Sequence, residues 1–125
     1  MKTDDTSYTI RKCTASQREV AEQAGTFMEE NIERKVTLRE LSRTLHVSET
    51  RLKSSFQARY GEPVYTWFKK QKMDRAAAFL RKEEFSIQEI AAGLGYENGS
   101  KFAVAFRSVY GMTPGQYRRR ARDGE

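Results

Sequence analysis

Apolar residues recur along this chain at helical spacing, and no stretch shows the alternation of a strand. Val20, Ala24, Phe27, Met28 and Ile32 form the first stripe, with Ser16 placed to cap its start. Thr37-Leu-Arg-Glu40 has the form of a capping box, in which the threonine hydroxyl accepts from the Glu40 amide while the glutamate reaches back. It opens a short helix to about Leu45. His46 and Val47 then make a turn, Ser48 caps the next helix, and Leu52 and Phe56 mark that helix's inner face. Gly61 ends it, because glycine adopts the left-handed conformation without penalty. Pro63 suits the first turn of a long helix to about Arg81, with a stripe of Val64, Trp67, Phe68, Met73, Ala76, Ala77 and Leu80. Ser86-Ile-Gln-Glu89 is a second capping box and opens a helix to about Leu94, broken by Gly95. A further helix runs from about Gly99 to Tyr110 and stops at Gly111. Pro114 starts a last short helix carrying Tyr117. The pattern predicts an all-α chain of about seven helices.

The order of these elements occurs twice. Glu40 falls on Glu89, Leu41 on Ile90 and Leu45 on Leu94, at an offset of 49. Leu52 then falls on Phe102, Phe56 on Phe106, Tyr60 on Tyr110, Gly61 on Gly111 and Trp67 on Tyr117, at an offset of 50. The extra residue lies between the two blocks, where a turn can absorb it. Two copies of a helix-turn-helix unit joined by a long helix follow, with boundaries at residues 16–62, 63–82 and 83–120. Residues 1–15 are polar and aperiodic and read as a frayed tail or a linker stump. The end of the chain, RRRARDGE, reads as a mobile charged tail, with residues 121–125 beyond the second unit.

A helix-turn-helix needs a first helix to brace the second, a turn to hold them near a right angle, and a polar outer face on the second helix that fits a major groove. In the first unit Leu41, Leu45, Val47, Leu52 and Phe56 supply the core. The second helix, capped by Ser48, then presents Glu49, Thr50, Lys53, Ser54 and Gln57 outward, with Arg51 at the flank. Lysine can donate to guanine O6 or N7, while threonine and serine can meet a thymine methyl or a phosphate. In the second unit Ile90, Ala91, Leu94, Tyr96, Phe102 and Phe106 form the core. The outer face is Asn98, Gly99, Ser100, Lys101, Ala103, Val104 and Arg107. Ala103 and Val104 can make only apolar contact there. The first unit is therefore expected to carry more direct base readout, and the second to lean on phosphate contacts from Asn98, Ser100, Lys101 and Arg107.

The bulk composition supports a polyanionic partner. The chain has 125 residues, a net charge of +6 and a pI near 9.6, which favours nucleic acid first and an anionic membrane surface second. No apolar run is long enough to span a bilayer, and the sequence MKTDDTSYTI lacks the apolar core of a signal peptide. One cysteine, Cys13, excludes an internal disulfide and suits a reducing cytoplasm. One histidine and one cysteine cannot build a zinc site unaided. No Gly-rich phosphate loop, nucleophile elbow or His–carboxylate cluster points to an enzyme, and no cofactor is expected.

The stretch from Val36 to Arg118, about two thirds of the chain, resembles the DNA-binding domain of AraC/XylS-family bacterial transcription regulators. The resemblance rests on TLRELSRTLHVSETRLKSSFQARYG, on MDRAAAFLR in the joining helix, and on SIQEIAAGLGY followed by SKFAVAFRSVYGMTPGQYR. Its most specific part is the run from the second capping box through G-x-T-P-x-x-Y-R. The resemblance implies two helix-turn-helix lobes on double-stranded promoter DNA, each recognition helix in one of two successive major grooves. It also implies activation through RNA polymerase, and a cytoplasmic, nucleoid-associated protein with no membrane contact. It places base contacts at Thr50, Lys53 and Ser54, and at Gly99, Ser100 and Val104. Many members carry arginine where Ser54 and Val104 stand, so the bidentate guanine contact is missing at both positions. The phrases RLKSSF and GYENGSKFAVAF are similar to a subgroup tied to siderophore and iron uptake. The family appends this domain to an N-terminal sensing and dimerising domain, so the isolated domain is expected to be a monomer.

Other features have plainer readings. Cys13 reads as an inert linker thiol, and Trp67, Tyr65 and Phe68 as the core of the joining helix. For each of Lys69, Lys70, Lys72, Arg118, Arg119, Arg120 and Arg122, a phosphate contact and a solvated charge are equally open readings. The rival to DNA binding is a helical protein-interaction module, a co-regulator touching RNA polymerase or another partner.

Overall fold

The computed structural model describes residues 13–124. The tail expected over residues 1–15 lies, up to residue 12, outside the described residues. Among the described residues there are seven helices and no strand: α1 Ala15–Glu30, α2 Leu38–Leu45, α3 Glu49–Tyr60, α4 Val64–Leu80, α5 Ile87–Gly93, α6 Gly99–Tyr110 and α7 Pro114–Arg122. None of them is long and apolar enough to cross a membrane. Close contacts gather the chain into two units. The first joins the residues up to Glu30 to Val36–Trp67, and the second joins Asn31–Lys35 to the chain from Phe68 onward. The continuous helix α4, expected as a separate joining element, thus gives its first turn to one unit and its remainder to the other.

In the first unit α1 buries Val20, Ala21, Ala24 and Met28, and Leu41, Leu52 and Phe56 complete the core. Fully burying a side chain of the Leu or Phe class stabilises by about 1.5–3 kcal/mol, so these few positions dominate the packing. The cap of α1 is Thr14 rather than Ser16. The Gln17 amide donates to Thr14 Oγ1 at 3.0 Å, and the Thr14 amide donates to Gln17 Oε1 at 3.0 Å. The earlier cap wins because it also gains the Arg18 N–H to Thr14 carbonyl bond at 2.9 Å, lengthening the helix. Phe56, Tyr60 and Trp67 close the unit as a ring cluster with centroids 4.7–5.4 Å apart. Gly25 lets α1 approach it: a Cβ there would stand 3.2 Å from Trp67 Cη2.

The second unit repeats this plan. Phe102, Ala105 and Phe106 of α6, Ile90 and Ala91 of α5, Leu94, and Met73, Ala76, Ala77 and Leu80 of α4 are among its buried apolar positions. Phe106, Tyr110 and Tyr117 reproduce the ring cluster at 4.7–5.4 Å, so Tyr117 takes the place of Trp67 as expected. The Tyr110 hydroxyl donates to Asp74 Oδ1 at 2.7 Å. Burial, and then this bond, push its pKa up to about 12.

Three basic features depart from expectation. Lys72 is neither solvated nor placed to touch a phosphate. It is 7 % exposed and its ammonium donates to the carbonyls of Ile32, Arg34 and Leu94 at 2.7, 2.9 and 2.8 Å. Arg118 likewise turns inward, donating to the Leu80 carbonyl, left open where α4 ends, at 2.9 Å and to the Phe85 carbonyl before α5 at 2.7 Å. The RRRAR segment is helical through Arg122 instead of a mobile tail. A full capping box between Thr113 and Gln116 starts α7, and arginine and alanine sustain it.

Candidate nucleic-acid interface

Each unit holds a short bracing helix, a sharp turn and a longer helix with one buried and one exposed face. In the first unit Thr37 Oγ1 accepts from the Glu40 amide at 3.1 Å and starts α2. His46 then turns the chain with φ 59°, and its neighbour's amide, Val47 N–H, donates to the Ser42 carbonyl at 3.0 Å. Ser48 Oγ accepts from the Arg51 amide at 3.0 Å and starts α3. Leu52, Ser55 and Phe56 face inward. Thr50, Lys53, Ser54 and Gln57 lie exposed on the opposite face, as their spacing predicts.

Two of these side chains are engaged locally. Arg51 Nη2 donates to Ser16 Oγ of α1, and Ser54 Oγ donates to the Arg51 carbonyl at 3.2 Å. Ser54 keeps its lone pairs for a donor and Arg51 keeps its remaining N–H groups. The face borders a groove lined by Leu38, Lys53, Ser54, Gln57, Pro63, Val64 and Tyr65. Tyr65 is 73 % exposed, which corrects its assignment to the core. It sits one residue past Val64, off the stripe that Val64 and Phe68 define at i and i+4, so its ring points away from the packed side.

In the second unit Ser86 and Glu89 form the complete capping box that starts α5. Gly95 makes the turn at φ 87°, and the Tyr96 amide donates to the Ala91 carbonyl at 3.0 Å. Asn98 Oδ1 accepts from the Lys101 amide at 2.9 Å, so its side-chain carbonyl oxygen caps α6. Ser100, Lys101, Val104 and Arg107 are exposed, Val104 at 72 %. Gly99 and Ala103 are half-buried, so the outer face is narrower than expected.

A group that the sequence reading passed over stands at the entry to α6. Glu97 Oε1 lies 2.9 Å from Lys101 Nζ, and this bond holds the Glu97 carboxyl below the usual carboxylate range. The i,i+4 spacing of Glu97 and Lys101 was visible as a helix-type ion pair. The pair is exposed and loose enough for Lys101 to exchange its partner for a phosphate. The two faces thus differ in chemistry. The first offers a free lysine, two hydroxyls and an amide, whereas the second offers one paired lysine, one arginine, one hydroxyl and an exposed isopropyl group.

Comparison with known proteins agrees with this geometry. Residues 41–120 match the helix-turn-helix domain family HTH_18. The F1 operon positive regulatory protein of Yersinia pestis is 36 % identical over 93 residues, 74 % of this chain and 31 % of that protein. A putative AraC-like transcription regulator of Streptomyces lividans is 34 % identical over 83 residues, covering 66 % of this chain and 27 % of its own length. The chain thus spans about a third of the length of these relatives. Among solved structures, the C-terminal domain of the response regulator AraT from Geobacillus stearothermophilus superposes with a TM-score of 0.78 at 26 % identity, covering 87 % of this chain and 88 % of that one. The DNA-binding domain of AdpA, solved in complex with a target DNA, shares the fold with a TM-score of 0.75 at 20 % identity, covering 84 % and 96 %.

Proposed function

The chain belongs to the AraC-type helix-turn-helix family of transcription regulators, and on that premise we propose that it binds double-stranded DNA sequence-specifically, each unit laying its second helix in a major groove. The observation that carries this reading is the division of α3 and α6 into a buried, mainly apolar face and an exposed face of small and basic residues. Lys53, with Thr50, Ser54 and Gln57, reads base edges, while Ser48 and Arg51 meet the flanking backbone. On α6, Asn98, Ser100, Lys101 and Arg107 hold phosphates, and Gly99 and Val104 sit against base edges with apolar contact only. The net charge of +6 supplies the long-range attraction. The Yersinia pestis relative is by name a positive regulatory protein, which supports activation as the mode of regulation; RNA polymerase is the partner that activation at a promoter calls for. A protein in that role acts in the cytoplasm, on the nucleoid.

The direct test is selection of sites from random duplexes followed by a scan of single base-pair changes across the selected site. Changes at several positions should each lose about 1–3 kcal/mol. Equal affinity for every duplex would refute sequence specificity. Absence of duplex binding would leave the rival reading, a helical module that docks on protein.

A further inference from the structure

The turn of the second unit is pinned from beneath. Lys72 reaches from α4 to the Leu94 carbonyl, at the residue that closes α5 and precedes the left-handed Gly95. The same ammonium holds the carbonyls of Ile32 and Arg34. Its three protons meet three acceptors, so every donor is satisfied, although burial still lowers the ammonium's pKa to about 8. A second observation shows the same closeness independently. A Cβ on Gly95 would stand 2.9 Å from the Glu33 carbonyl oxygen and 3.1 Å from Arg34 Cα. The turn is therefore clamped against residues 32–34, with the lysine as the fastener. Among its described residues the first unit shows no such device. The repeat aligns Lys72 with Glu22 and Gln23, both exposed, and Glu22 pairs instead with Arg59 at 2.9 Å.

We propose that Lys72 is a positioning residue for DNA binding by the second unit: by fixing the Leu94–Gly95 corner it aims α6, and the contacts of α6 depend on it although Lys72 never touches DNA. The proposal rests on the DNA-binding reading above. It is distinct from a general contribution to folding, because it predicts which contacts fail together. With the clamp gone, α6 loses its phosphate contacts as a set, while α3 keeps its own.

The test is a double-mutant comparison in the full chain, using duplex DNA that carries the selected site. In the parent, Arg107→Ala should reduce the magnitude of the salt slope by about 1. In Lys72→Met, which keeps an unbranched stem without donors, hydroxyl-radical protection should persist under the first unit and be lost under the second. Arg107→Ala should then be nearly silent, while Lys53→Ala keeps its full effect. Additive losses for Lys72→Met and Arg107→Ala, or unchanged protection under the second unit, would overturn the proposal. Should Lys72→Met not fold, Lys72→Gln, which retains two donors, carries the same test with a smaller expected loss. Failure of the parent chain to bind duplex DNA at all would instead remove the functional reading.

Discussion

His46 and Gly95 stand at the same corner of the two units and share one backbone conformation, φ 59° and φ 87°. The corner is nevertheless built for different neighbours. Gly95 faces the backbone of Glu33 and Arg34 closely enough to exclude a Cβ, whereas His46 carries a full side chain in an exposed turn. The left-handed conformation alone penalises an ordinary residue by about 1–2 kcal/mol, and His is among the residues that tolerate it.

Gly95→Ala should therefore destabilise the chain by at least about 2 kcal/mol, since it adds a steric clash to the conformational penalty. His46→Ala should stay within about 1 kcal/mol, since a side chain already occupies that conformation. Urea unfolding of the two variants checks this. Equal losses would mean that the conformation, and not the approach of residues 33 and 34, sets the requirement for glycine.

These corners also show what the sequence reveals and what it hides. Caps, glycine stops and apolar stripes are local, so Thr37, Ser48, Ser86 and Gly61 were readable from spacing, as was the equivalence of Trp67 and Tyr117. The faces of α3 and α6 followed from the same periodicity. Lys72 and Arg118 were not readable, because their acceptors are carbonyls 22–40 residues away and nothing in a run of charges separates a buried cation from a solvated one. Ser16 was misassigned because an overlapping cap two residues earlier competes for the same helix start. Tyr65 was misassigned because an aromatic one residue off a stripe looks like part of it.

Ser55 and Ala105 form another aligned pair, and the difference between them is a hydroxyl. Ser55 is fully buried in α3 and its Oγ finds no hydrogen-bond partner. Ser55→Ala, which copies the residue of the second unit, should raise stability by about 1 kcal/mol, because an unsatisfied buried polar group is removed at nearly constant shape. Differential scanning calorimetry should show a higher melting temperature. A loss of stability would mean that the hydroxyl is satisfied in solution.

Tyr110 gives the second unit a pH dependence of definite sign. Its folded pKa, about 12, lies above the ordinary tyrosine value of 10, so the protonated hydroxyl is the form the fold favours. Its contribution is fully present below pH 10 and is lost as pH rises from 10 through 12. Tyr110→Phe should be less stable than the parent at pH 7–9, and the gap should close above pH 10. A gap that stays constant to pH 11.5 would contradict the assignment of the shift to burial and Asp74.

Val104 tests the asymmetry of the two faces. Its exposed side chain cannot donate a hydrogen bond, so changes of base under the second unit should lose less affinity than changes under the first. Val104→Arg should create a new preference for guanine, worth about 1–3 kcal/mol, because arginine reaches O6 and N7 together. Sequences must be compared at one salt concentration, since the added charge strengthens binding to all DNA. Larger penalties under the second unit of the parent chain would place the readout in thymine methyl contacts or DNA shape.

The most direct measurement of the central claim is the affinity of the chain for its selected duplex at several salt concentrations. If each unit makes roughly three or four phosphate contacts, log K should fall against log salt with a slope of about −6. Lys53→Ala should weaken binding to the best site while leaving random DNA far less affected, as expected for a base contact. A steep slope with that selectivity is what two basic recognition faces on α3 and α6 predict. A flat response to salt would contradict the account, because a protein held in the groove by these side chains must release counterions when it binds.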